Sequence, residues 1–169
     1  FVRRSPMIWG CMTLDMFAVI FGGATALLPI FATDILHVGA RGYGLLSSSM
    51  EIGAFSCALV MMLRPTTVKA GRALLAAVAV YGVATIVFGL SRSFALTFLC
   101  LAVTGIADTV SMVLRNVVRQ LATPDTMRGR MTGVNMVFFM GGPQLGELEA
   151  GLVAQATTAP WSVITGGIG

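Results

Sequence analysis

LRNVVRQLATPDTMRGR, residues 114–130, sets Arg115, Arg119, Arg128 and Arg130 between two long apolar runs in a chain that is otherwise poor in charge. Cytoplasmic loops of membrane proteins collect Lys and Arg and translocated loops do not, so this crowding is first of all a topology signal. The stretch also carries helix signals. Leu114, Val117, Val118 and Leu121 recur at helical spacing while Arg115 and Arg119 are four apart, which predicts a helix running past the membrane surface as an amphipathic extension. Thr123-Pro124 stops it, because the residue before a proline is pushed out of the helical region. Asp125 or Thr126 then caps a following helix whose first turn carries Arg128 and Arg130.

The composition around this stretch is that of a membrane protein. Of 169 residues, 56% are hydrophobic and 11% charged, with a mean hydropathy of +0.88, whereas a soluble domain is about 25% charged. Eleven basic and seven acidic side chains are too few to clothe a soluble surface of this size, so lipid is the expected solvent. The net charge of +4 does not point to nucleic acid, since no basic stripe is interleaved with aromatics on a polar surface. Cys11, Cys57 and Cys100 lie far apart inside apolar runs, which indicates neither a metal site nor a disulfide framework; they read as small apolar fillers. No cofactor is implied.

A helix crossing a roughly 30 Å hydrocarbon core needs about 20 apolar residues. Five such runs are predicted, 7–31, 43–63, 72–90, 94–114 and 131–154, and a sixth begins at Trp161 and is expected to be incomplete at 161–169. Short polar punctuations separate them, several carrying the Gly or Pro that interrupts helices. Counting basic residues loop by loop, one side holds Arg3, Arg4, Arg64, Lys69, Arg72 and the four arginines of the opening stretch, nine of the eleven, while the other holds only Arg41 and Arg92. That asymmetry predicts an N-terminus and basic loops in the cytoplasm. The chain opens FVRRSPMIWG without an initiator methionine and closes PWSVITGGIG inside an apolar run, so a fragment is expected.

ATPDTMRGRM, leading from one span to the next, resembles the cytoplasmic loop between the tenth and eleventh helices of major facilitator superfamily transporters, where P-x-x-x-R-G-R recurs; the matched positions are Pro124, Arg128, Gly129 and Arg130. LDMFAVIFGGATALLPIFATDIL (residues 14–36) and FGLSRSFALTFLCLAVTGIAD (residues 88–108) are similar to the enterobactin-exporter-like branch of that superfamily. In the loop after the eighth helix the family echoes G-x-x-x-D-R-x-G-R. Here Gly71 and Arg72 match its end and Lys69 stands for the first arginine, but Val68 replaces the aspartate and Arg64 the first glycine, so the gating role of that aspartate does not carry over. The resemblance implies an all-α membrane protein, a six-helix bundle forming the C-terminal half of a major facilitator fold, helices seven to twelve with the last truncated. It further implies alternating access, with substrate bound near the bilayer midplane between two bundles. The implied partners are membrane lipid, the missing N-terminal six-helix half, a small-molecule substrate and protons, in a bacterial inner membrane.

A charged side chain at membrane depth is costly and needs a partner, water or a function. Asp15, Glu51, Asp108, Glu147 and Glu149 qualify by position. Asp15 is either a proton-coupling or cation-binding carboxylate facing a central cavity or a polar group hydrogen-bonded across helices. Asp108 and Arg115 are seven apart, two turns along one face; they either bracket a polar path to the cytoplasm or are a packing contact and an interfacial snorkelling residue. Glu51 lies mid-span beside Ser47, Ser48 and Ser49, which would hydrate it, and is a candidate to line the cavity. Glu147 and Glu149 belong toward the outer side. Asn135 and Gln144 either bind substrate groups or hydrogen-bond between helices. Gly141-Gly142-Pro143 permits a bend, and Gly142 to Gly146 forms a G-x-x-x-G packing face.

An enzyme is not expected. The only histidine, His37, falls in an outer loop, no G-x-S-x-G or H-E-x-x-H occurs, and GIAD (residues 105–108) lacks the second glycine spacing of an intramembrane aspartyl protease. The sequence therefore predicts a secondary transporter, a proton-coupled antiporter exporting a drug-like or siderophore-like molecule. The alternative is a non-transporting polytopic scaffold or receptor module, which leaves the mid-membrane acids without a purpose.

Overall fold

A segment crossing lipid must satisfy every backbone N–H and C=O internally, which for a single span means a helix. The computed structural model describes residues 27–63, 70–122, 128–156 and 158–168, and no strand occurs among them. A short helix α1 (Leu28–Ile30), with Pro29 in its first turn, passes directly into a π-helical turn, Phe31–Ile35. Then follow α2 (Gly39–Leu63), α3 (Ala70–Leu90), α4 (Phe94–Ala122), α5 (Arg128–Ala156) and α6 (Ala159–Ile168). By length and composition Gly39–Leu63, Gly71–Leu90 and Phe94–Val118 are able to cross a membrane. Most of the first apolar run, 7–31, lies outside the described residues.

Helix ends differ from the apolar windows because hydrogen bonding, not apolarity, sets them. The chain before α2 closes with a Leu36 N–H to Phe31 carbonyl bond of 2.9 Å and a Val38 N–H to Ala32 carbonyl bond of 2.9 Å. His37 takes a left-handed φ of 51° and Gly39 one of 64°, so α2 starts right at the reversal, four residues before 43. The His37 ring nitrogen Nδ1 meets the Thr33 carbonyl at 3.0 Å, which offsets some of the steric cost of a non-glycine residue there. At its far end α4 continues two turns beyond Leu114, to Ala122, and α5 starts at Arg128. Helix α5 also runs through Gly141-Gly142-Pro143 without a break.

Helix α4 occupies the middle of the packing, with α2 against one side and α3 against another; α3 also packs on α6, and α6 carries α5. Lipid is as apolar as leucine, so helices associate by close packing, and small residues sit at the crossings. Gly53 of α2 lies against the Ala102 backbone of α4, and Gly105 of α4 against the Met50 backbone of α2, so a Cβ at either position would strike main chain. The α3–α6 crossing repeats the device: a Cβ on Gly82 would sit 2.7 Å from the Gly167 carbonyl oxygen, and one on Gly167 would sit 2.9 Å from that of Gly82.

The densest core gathers where the α3–α4 turn lies. Leu27, Phe31, Leu46, Phe88, Leu101 and Val163 form one buried cluster there, with the Phe31 and Phe88 rings 4.6 Å apart and tilted by 37°. The three-residue turn Ser91–Ser93 needs neither Gly nor Pro because the Ser91 hydroxyl closes it. Ser91 Oγ accepts from Thr97 Oγ1 at 3.0 Å and from the Ser93 N–H at 3.3 Å, and donates to the Ser93 carbonyl at 3.1 Å. Ser162 Oγ donates to the Ala150 carbonyl at 2.9 Å and so ties α6 to α5.

Candidate functional site: a charged pair on the central helix

Five polar side chains of α4 fall on one stripe. Thr97, Thr104, Asp108, Ser111 and Arg115 are separated by seven, four, three and four residues, spacings that keep them on one helical face. Thr97, Thr104, Ser111 and Arg115 are buried, an unusual number of polar side chains for a membrane helix interior. Thr97 bonds to Ser91 and Thr104 to the Leu101 carbonyl at 2.7 Å, so neither competes for the charges. Counting along the Phe94–Val118 segment, Asp108 stands two residues beyond its midpoint. Arg115 is about 10 Å further toward the arginine-rich end, at 1.5 Å of rise per residue.

The two charges are brought together. Arg115 Nη2 lies 4.0 Å from Asp108 Oδ1, with the arginine side chain 8% exposed and the aspartate 50%. Arg115 is thus folded back along its helix toward the carboxylate instead of snorkelling away to the interface. Tyr81, on α3, lies within electrostatic reach of the same carboxylate. The arrangement holds a cation inside the bundle by means of an anion that still has an open side. A proton or a charged group approaching that open side competes directly with Arg115 for Asp108.

The remaining sequence candidates are placed apart from this pair. Glu51 is exposed on α2 and has no hydrogen-bond or ion-pair partner among the described residues. Two of its neighbouring serines are turned to backbone: Ser48 Oγ donates to the Gly44 carbonyl at 2.8 Å and Ser49 Oγ to that of Leu46 at 2.6 Å. Gln144 and Glu147 are exposed on α5 and Glu149 is half-buried there. Asn135, Arg128 and Arg130 lie along the α5 backbone. Gly71 and Gly129 have open space where a Cβ would stand, and Arg72 is exposed. Asp15 and Pro124 lie outside the described residues. Sequence reading missed Ser111 and Tyr81; the heptad spacing of Thr97, Thr104 and Ser111 was the signal for the former, and nothing in the spacing relates α3 to Asp108.

Membrane-length helices, with an acid–base pair on the central one, define a polytopic membrane protein. Residues 1–169 match the family described as transmembrane secretion effector. The chain belongs to that family of the major facilitator superfamily, and its all-α bundle is one half of a major facilitator fold. It is 29% identical over 167 residues to the enterobactin exporter EntS of Citrobacter koseri, an overlap of 98% of this chain and 40% of that protein. It is 27% identical over 169 residues to the enterobactin exporter EntS of Escherichia coli O1:K1, covering 100% of this chain and 40% of the relative. For the protein of the same name in Salmonella choleraesuis the identity is 26%, over 98% of this chain and 40% of the relative. The chain therefore spans 40% of the length of these relatives. No solved structure matches it significantly.

Proposed function

We propose that this chain is the C-terminal bundle, helices seven to twelve, of a proton-coupled exporter of a siderophore-like or drug-like small molecule in a bacterial inner membrane. The observation that carries the reading is the half-exposed Asp108 at mid-membrane, held by a buried Arg115. Nothing about packing in lipid calls for such a pair, whereas a transporter binds its cargo and coupling ion at that depth. The exporter names of the relatives support a siderophore-like substrate and an outward direction. Protonation of Asp108 weakens its hold on Arg115, and a bundle whose charges re-pair on protonation has two packings to rock between. Alternating access follows if a second bundle closes the other side of the cavity. The basic-loop asymmetry supports a cytoplasmic N-terminus.

The test uses the complete transporter in proteoliposomes loaded with acidic buffer and presented with enterobactin outside. The expected result is accumulation against the concentration gradient, abolished when an uncoupler collapses the pH difference. Absence of uphill accumulation would contradict the proposal and favour a scaffold or receptor module.

A further inference from the structure

Several hydroxyl groups inside the described helices bond to a carbonyl about one turn back, as Ser49, Ser56, Thr85, Thr104 and Thr109 do, and others find a partner further off, as Thr97 and Ser162 do. Ser111 departs from this. Its Oγ is closed to solvent and has no hydrogen-bond partner among the described residues, although the residue is only 4% exposed. Leaving a buried hydroxyl unmade is costly, and such a group in a packed helix asks for an explanation.

Its position supplies one. Ser111 stands three residues after Asp108 and four before Arg115, on the stripe they share, so each is its neighbour on the helix surface. The Arg115 guanidinium lies 4.0 Å from the Asp108 carboxylate, longer than a hydrogen bond. We propose that Ser111 is a positioning residue for the pair: when the guanidinium leaves Asp108, an Arg115 N–H donates to Ser111 Oγ, which gives the arginine a second seat one turn away. The inference rests on the transporter reading, in that it requires a bundle with two packings. Ser111 stabilises the state in which the pair is parted and leaves its hydroxyl unspent while the pair is closed. A merely structural serine would be equally unsatisfied in both states and would not alter their balance.

The test reads populations instead of transport. The complete transporter carries a spin label at Arg92→Cys, exposed in the Ser91–Ser93 turn, and a second label on its other half; pulsed electron spin resonance gives the distance distribution. The expected result is two populations in the otherwise native protein, one of them depleted roughly tenfold by Ser111→Ala, the scale of one hydrogen bond, and restored in Ser111→Thr. Should Ser111→Ala fail to fold, Ser111→Cys, a weak acceptor of similar size, makes the same comparison. A single population in the native protein, or populations that Ser111→Ala leaves unchanged, would overturn the inference. Because the measurement needs neither substrate nor gradient, a protein that shifts its populations with Ser111 yet never accumulates enterobactin would sink the transport reading alone.

Discussion

Single side chains at the Ser91–Ser93 end carry much of the local order. Thr97 is fully buried and its hydroxyl donates to Ser91 Oγ, which in turn closes the turn backbone. Thr97→Val keeps the shape and removes the donor, at an expected cost of about 1 kcal/mol, read as a lowered midpoint of thermal unfolding in detergent. Phe31 is fully buried against Phe88, and Phe31→Ala empties a ring-sized space, at about 3 kcal/mol or more, by the same measurement. The charges were only partly legible at this scale. Spacing put Asp108 and Arg115 on one face, but a sequence does not say whether a long arginine folds inward or reaches for the interface, since both keep its stem in apolar surroundings. Ser111 escaped notice because serine in a helix ordinarily bonds its own backbone.

At the scale of elements, the helical character of the described residues was legible, because twenty apolar residues in lipid have one way to satisfy their backbone. Their neighbours were not. Periodicity identifies a buried face only when the other face meets water, and here both faces of α2 are apolar: Leu46 is buried while Phe55 and Met62 are exposed. The crossings are written instead in glycines that have no sequence spacing in common, Gly53 with Gly105 and Gly82 with Gly167. Gly53→Ala or Gly105→Ala drives a methyl into the opposing main chain and should cost about 1–3 kcal/mol. Gly44→Ala, whose Cβ would meet nothing, should be neutral or stabilising by up to about 1 kcal/mol through helix propensity. Thermal unfolding of the three variants side by side checks the contrast; equal losses at all three positions would mean that the crossings do not depend on close approach.

In the whole molecule, topology and coupling depend on one another. If the basic side faces the cytoplasm, a membrane-impermeant maleimide applied to intact cells should label the complete transporter at Arg92→Cys and leave Arg72→Cys unlabelled, both residues being exposed; the reverse pattern would invert the orientation. Coupling is assigned to Asp108, and Asp108→Asn in the complete transporter is the variant that probes it. Two quantities are compared in the same vesicles, exchange of substrate across the membrane without a gradient and net accumulation driven by a pH difference, with Asp15→Asn and Glu51→Gln measured in parallel. The expected result is that Asp108→Asn retains exchange but loses gradient-driven accumulation to background. Accumulation at the native rate in Asp108→Asn would contradict it.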